Sequence, residues 1–343
     1  KEQNPTRRYH ASETSSATSS RGEYFFPVTT DVNDSRSGFQ LSSYDMTTIG
    51  WGCAPEVQFK MNEEYPFMSG EFVWTGFDYL GEPTPYNKDL TNLLNFSDPN
   101  ELEKARKELE ELSKIKTPSR SSYFGIVDLC GFPKDRYYNY KSYWRPDVPT
   151  VHILPHWKWQ ERIGEITPVH IYTSGDAVEL FLNGKSLGRR EKAHSYDRLT
   201  WDDVRYEPGS LRAIAYKNGQ KWAEELVETT GKPAALQVTA EKTELKNDGT
   251  DLSFIRVAVV DSQGRVVPRS KNHLKFSVTG PAEIIATDNG DATSLLPFQL
   301  SERDAYNGLA LVILRSQYMK QGKVVLTVES KGLPKQKIAL KVE

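Results

Sequence analysis

From about residue 150 onward the chain is a succession of short runs in which apolar and polar side chains alternate, each closed by a turn signal. In VHIYTSGDAVELFLNGKSLGRR, residues 169–190, Val178, Leu180 and Leu182 alternate with Glu179 and Phe181. Asn183-Gly184 then supplies the two positive φ angles of a tight hairpin. The device recurs in SLRAIAYKNGQKWAEEL, residues 210–226, at Asn218-Gly219. Runs of period two joined in this way predict a small antiparallel β-sandwich over 153–232. A Gly-Lys-Pro junction at 231–233 marks a boundary, and alternation restarts in LQVTAEKTELKNDGTDLSFIRVAVVDSQGRVV, residues 236–267, with turns at Asp248-Gly249 and Gln263-Gly264. KVVLTVESKGLPKQKIALKVE closes the chain as a last hairpin. A second sandwich, immunoglobulin-like in its open, polar strands, is therefore predicted over 233–343, a shape that carries no chemistry of its own.

The first 150 residues read differently. GEFVWTGFDYLGEPTPY, residues 70–86, does not alternate, as expected of a strand buried on both faces and followed by a Gly/Pro-rich loop. A helix is predicted at about 99–114: Asp98-Pro99 starts it, and Leu102, Ala105, Leu109 and Leu112 form one stripe among Glu and Lys. Buried strands with elaborate loops and helices suit a closed barrel of parallel strands, whose active-site residues sit at the C-terminal strand ends. Such a barrel needs ~250 residues, so residues 1–152 are expected to be the last part of a (β/α)8 TIM barrel that begins upstream. The chain opens at Lys1 with neither an initiator Met nor a signal-peptide pattern, which suits an upstream segment removed by processing or by truncation. The fold class expected is thus multidomain, α/β followed by all-β: a barrel portion and two immunoglobulin-like sandwiches.

Composition narrows the chemistry. Among 343 residues, 44 Lys and Arg stand against 46 Asp and Glu, so there is no basic stripe to track phosphates, and nucleic acid is not an expected partner. No run of ~18 apolar residues predicts a membrane span. Cys53 and Cys130 form no CxxC or Cys/His metal pattern, and a disulfide between them is permitted but not implied. Nothing calls for a metal or another cofactor; the Asp and Asn of TDNGDATS, residues 287–294, could hold a cation, but a turn-rich loop explains them without one. Aromatic residues make up 11%, and flat indole and phenol faces suit sugar rings as well as cores.

The N-terminal stretch HASETSSATSSRGEYFFP, residues 10–27, sets one acid, Glu13, among small hydroxylated residues. A solvated linker has this composition. SGEFVWTGFDYLGEPTPY resembles the strand-eight segment of the family 2 glycoside hydrolases, especially β-galactosidases typical of gut Bacteroidetes, and SETSSATSSRGEY resembles their strand-seven segment. SSYFGIVDLCGFPKDRYYNYKSYW (121–144), LPHWKWQERIGEITPVHIYTSGDAVELFLNGKSLG (154–188) and TDNGDATS follow in the family's order.

This resemblance implies a retaining exo-β-glycosidase, a β-galactosidase first, acting on terminal β-galactosyl residues of an oligosaccharide or simple galactoside. Glu13 would be the nucleophile, kept ionised by Arg21 or by the hydroxyls of Ser15 and Ser16, and facing a second carboxyl about 5–5.5 Å away. Trp74 would wall the sugar subsite, unless it is packed between strand and helix. Asp78 and Glu82 would bond sugar hydroxyls, or pair with a nearby Lys or Arg. His10 would face the same pocket, or be structural. The family's acid/base Glu follows an Asn on strand four and would precede Lys1, supplied by an upstream segment or another chain completing the barrel. SRSSYFGIVD lacks the Asn-x-Lys triplet with which the related β-glucuronidases grip a carboxylate, which favours a neutral sugar. A periplasmic or extracellular setting is expected. The competing readings are a β-glucuronidase, or a non-catalytic carbohydrate-binding or structural piece that holds sugar on Trp74, Trp157 or Trp159. HWKW, residues 156–159, suits an aromatic platform or an interdomain plug.

Overall fold

The structure, a computed structural model, describes residues 7–31, 35–86 and 121–343. The helix expected at 99–114 lies outside the described residues. The chain divides into two compact units, Lys1–Thr229 with Ala292–Ser294, and Thr230–Asp291 with Leu295–Glu343.

The first unit opens with β1 (Tyr9–Thr14), β2 (Arg36–Ser37), β3 (Gln40–Leu41), α1 (Pro55–Glu64), β4 (Met68–Val73) and α2 (Asp135–Trp144). β1 and β4 pair in parallel, with His10 beside Gly70, Ala11 beside Glu71 and Thr14 beside Val73. Parallel neighbours need a crossover, and α1 lies within it. Pro55 opens that helix and Glu56 sits in its first turn, where the free N–H groups favour an acid. Phe59 of α1 stacks on Tyr143 of α2 with ring centroids 4.0 Å apart. Lack of alternation suggests burial of β4 on both faces, but Phe72 is 64% exposed in the two-stranded sheet described.

Seven strands follow in this unit: β5 (Val151–Leu154), β6 (Val169–Thr173), β7 (Ala177–Leu182), β8 (Lys185–Glu191), β9 (Leu199–Trp201), β10 (Ser210–Lys217) and β11 (Gln220–Glu228). They make a three-stranded sheet, β5-β6-β9, and a four-stranded one, β11-β10-β7-β8. The Asn-Gly pairs sit where they were expected: Asn183 and Gly184 (φ 51° and 81°) join β7 to β8, and Asn218 and Gly219 (φ 53° and 77°) join β10 to β11. Val178, Leu180, Leu211 and Ala213 fill the core between the sheets. HWKW is packing, not a platform. Trp157 is fully buried and donates its indole N–H to the Glu207 carbonyl at 2.9 Å. Trp159 is buried with Tyr24 and Phe26 edge-on to it at 6.0 and 5.2 Å. Tyr24 and Tyr44 thus belong to the same core as the sandwich, and β5 straddles residue 152.

The second unit holds β12 (Ala235–Ala240), β13 (Glu244–Leu245), β14 (Leu252–Val260), β15 (His273–Thr279), β16 (Ala282–Asp288), β17 (Glu302–Asp304), β18 (Leu309–Ser316), β19 (Gly322–Ser330) and β20 (Gln336–Val342). Two sheets, β12-β14-β18-β16 and β13-β20-β19-β15-β17, enclose Ile255, Val257, Phe276, Val312, Leu326 and Leu340. β19 and β20 form the closing hairpin. Asp248-Gly249 turns the chain without making one: β13 pairs with β20 and β14 with β12, so this turn carries the chain from one sheet to the other. Cys53 and Cys130 are both free thiols. No helix among the described residues is long and apolar enough to cross a membrane.

Candidate active site

Glu13 is exposed, one residue before the end of β1. After Thr14 the chain turns through two residues in the left-handed region, Ser15 (φ 64°) and Ser16 (φ 48°). The Ser16 N–H donates to the Thr14 carbonyl at 2.8 Å, and the Ser16 hydroxyl reaches Glu13 Oε1 at 3.4 Å. The hydroxyl expected to support the carboxylate is therefore the one on Ser16; that of Ser15 accepts from Tyr140 of α2 at 3.0 Å.

Trp74 directly follows β4, and its N–H donates to the Thr14 carbonyl at 3.0 Å. Two residues sixty positions apart in sequence are thereby fixed at neighbouring strand ends. Trp74 is half-buried, and its indole N–H donates to the Tyr79 hydroxyl at 3.0 Å. Tyr79 in turn donates to the Glu82 carboxylate. Burial, and then the bond to Glu82, raise the Tyr79 pKa, so the phenol stays a donor. With its N–H engaged, the indole has its ring face left to offer. Sequence reasoning missed Tyr79 as the tie between Trp74 and Glu82, although it stands inside the motif that identified both. His10 is exposed on β1, edge-on to Phe72 at 4.9 Å and 3.5 Å from the Ser69 hydroxyl.

Arg21 departs from the expectation, and Asp78 takes the alternative of pairing with a lysine. Arg21 is buried, and its Nε donates to Asp128 at 2.6 Å. Asp78 is buried against Lys134 at 2.6 Å and accepts from the Gly125 N–H at 2.8 Å and the Ser122 hydroxyl at 3.2 Å. Burial pushes the Asp78 carboxyl up to about 6 against the pull of Lys134, and the same burial lowers the lysine. A charge out of water keeps a buried partner. Both side chains are buried in ion pairs that tie the loops together.

The hydroxylated run is not a linker either. Thr14 to Ser20 are all buried, and cations from the start of α2 take up the carbonyls: Lys134 donates to those of Ser19 (2.7 Å) and Tyr123 (3.2 Å), and Arg136 to that of Ala17. Arg136 also pairs with Asp45 at 2.8 Å. Small residues let the chain pass through this crowded interior, and the buried backbone finds its partners in Lys134 and Arg136.

A cavity of about 750 Å³ opens along β4, lined by Asn62, Glu71, Phe72, Gly76, Ile126 and Trp144 among others; neither Glu13 nor Trp74 lines it. Glu71 there accepts from Thr14, Asn62 and Trp144 at 2.9, 3.2 and 3.1 Å, and burial raises its pKa.

Glu13 and Trp74 thus stand at neighbouring ends of two parallel strands, in a chain that continues into β-sandwiches. Residues 236–339 match the family described as Glycoside hydrolase family 2 C-terminal domain 5, and residues 164–223 match a domain of unknown function, DUF4982. The chain belongs to glycoside hydrolase family 2, of which it carries the C-terminal domain. It is 37% identical over 337 residues to the β-galactosidase BoGH2A of Bacteroides ovatus, covering 96% of this chain and 36% of that protein. A putative β-glucuronidase of Formosa agariphila is 30% identical over 252 residues, 73% of this chain and 22% of that protein. Among solved structures, a β-glycosidase from Bacteroides vulgatus matches with a TM-score of 0.78 at 28% identity, covering 97% of this chain and 42% of that one. The chain thus spans about a third or less of the length of these two curated relatives.

Proposed function

We propose that the chain supplies the nucleophile side of a retaining exo-β-glycosidase, with a β-galactoside as substrate. The observation that carries this reading is the placement of Glu13: exposed at the end of a parallel strand, supported by the Ser16 hydroxyl, with the Trp74 strand bonded to its neighbour Thr14. β1 and β4, backed by α1 and α2, are on this reading the last two strands of a (β/α)8 barrel. Its remaining strands bring the acid carboxyl about 5–5.5 Å from Glu13, the separation of a retaining enzyme. Glu13 attacks the anomeric carbon while that acid protonates the departing oxygen. Water then hydrolyses the glycosyl-enzyme, with the same acid acting as base. Trp74 supports the apolar face of the sugar, and Glu82, held by Tyr79, accepts from a hydroxyl.

Galactose is favoured over glucuronic acid because SRSSYFGIVD, residues 119–128, lacks an Asn-x-Lys triplet, and the next lysine along the chain, Lys134, is buried against Asp78 and the Ser19 carbonyl. The relatives include a β-galactosidase and a putative β-glucuronidase, so β-glucuronidase is the second reading. A periplasmic or extracellular site of action fits a substrate of this kind.

The test is Glu13→Gln in the complete protein. Its kcat on a nitrophenyl β-galactoside should fall at least ~10³-fold with sugar binding retained. Activity within tenfold of wild type would remove Glu13 from the mechanism, and faster turnover of the β-glucuronide would favour the second reading.

A further inference from the structure

We infer that the loop of residues 49–53, together with Tyr140 of α2, is a positioning device for Glu13, acting through the Ser15–Ser16 turn. The inference rests on the reading of Glu13 as nucleophile and goes beyond it by naming what aims the carboxylate.

Two successive residues with side chains, Ser15 and Ser16, occupy the left-handed region one residue beyond Glu13, at φ 64° and 48°. Such a conformation is strained for a residue with a Cβ and persists only where the surroundings over-determine it. Here they do. The Cys53 N–H donates to the Ser15 carbonyl at 2.7 Å, and the Tyr140 hydroxyl donates to the Ser15 hydroxyl at 3.0 Å. Tyr140 is itself fixed, edge-on to Phe59 at 5.1 Å and against Trp144 at 4.7 Å. Immediately after the turn, Ala17 bridges to Thr48, and Arg136 holds the Ala17 carbonyl.

Gly52 closes the clamp. Its own backbone is not left-handed, so glycine is required there for space: a Cβ would stand 2.7 Å from the Ser15 carbonyl oxygen and 2.9 Å from that of Ser16. The loop therefore lies directly against the turn, and any atom added at Gly52 pushes on it. On the other side the turn delivers the Ser16 hydroxyl to Glu13 at 3.4 Å. A displacement of the turn moves the hydroxyl and the strand end that carries the carboxylate. In-line attack is sensitive to such movement, since ~1 Å of misplacement costs about a hundredfold. These groups touch neither sugar nor reacting atoms, and Gly52, Cys53 and Tyr140 are positioning residues.

The experiment compares Gly52→Ala and Tyr140→Phe with wild type and Glu13→Gln in the complete protein. It measures kcat and KM on a nitrophenyl β-galactoside, the rate of covalent trapping by a 2-deoxy-2-fluorogalactosyl inactivator, and Tm. Gly52→Ala should lower kcat by about 10–100-fold with KM within about twofold, and trapping should slow in parallel with the label still on residue 13. Tyr140→Phe should show the same split to a smaller extent with Tm nearly unchanged. If both folded variants keep kcat and trapping within about twofold of wild type, or lose only Tm or KM, the inference is overturned. Should Gly52→Ala not fold, Tyr140→Phe decides by the same criteria. An active Glu13→Gln, or label on another carboxylate, instead sinks the nucleophile reading and is told apart by that control.

Discussion

On the proposed reading Trp74 faces the sugar, whereas Lys134 is buried in an ion pair that holds a loop. Trp74 donates its N–H to Tyr79 and so offers a ring face, and Trp74→Ala should lose ~1–3 kcal/mol, about 10–100-fold in kcat/KM, with kcat and KM both affected because stacking also orients the ring. Trp74→Phe should recover most of that loss. A folded Trp74→Ala with unchanged kinetics would make Trp74 a packing residue only. Lys134 neutralises a fully buried carboxylate, so Lys134→Met should destabilise the first unit by ~3–5 kcal/mol in denaturant titrations. Adding Asp78→Asn should restore part of it, and the absence of any recovery would show that the charge on Asp78 is not the cause.

At the level of elements, His152 of β5 ties the sandwich to α2 and β11. Its Nε2 lies 2.7 Å from Asp135, its Nδ1 3.6 Å from Glu225, and its ring stacks on Tyr138 at 3.8 Å. Burial opposes the charge on the ring, but hydrogen bonds to Asp135 and Glu225 outweigh it and raise the pKa from 6.5 to about 9. A raised folded pKa binds the proton more tightly than the unfolded chain does. The stabilisation, at most about 3 kcal/mol, is therefore complete below the ordinary histidine pKa and fades as pH climbs through about 9. Thermal unfolding of wild type and His152→Gln should differ most near pH 6 and converge by pH 10. A gap that stays constant across this range would assign the effect to ring packing.

For the whole molecule the two units differ in completeness. The second has two sheets around its own core, so residues 230–343 expressed alone should unfold cooperatively and resist protease. Residues 1–150 carry a two-stranded parallel sheet with Phe72 and Phe77 more than 60% exposed, an apolar face of the kind that drives association. Alone they should aggregate or be digested quickly. A cut at 152 also divides the core that Tyr24 and Tyr44 share with the first sandwich, so residues 153–343 should show a weakened first transition beside an intact second one. Equal stability of both transitions in that fragment would mean that Tyr24 and Tyr44 contribute little.

The sequence by itself determined the β-sandwich hairpins, because Asn-Gly at 183–184 and 218–219 sets both φ angles locally and alternation sets the register with it. It also marked Glu13, Trp74 and Glu82, through motifs carried by contiguous residues. Local spacing held no information on where charges find partners across the chain. Arg21 meets Asp128 and Asp78 meets Lys134 only once distant segments pack, and burial then demands the pairing. HWKW looked equally like a platform and a plug until Tyr24 and Phe26 closed on it. The left-handed turn after Glu13 was the least legible of all. Ser-Ser has no preference for that conformation, and only Gly52, Cys53 and Tyr140, brought in from 37 to 125 residues away, impose it.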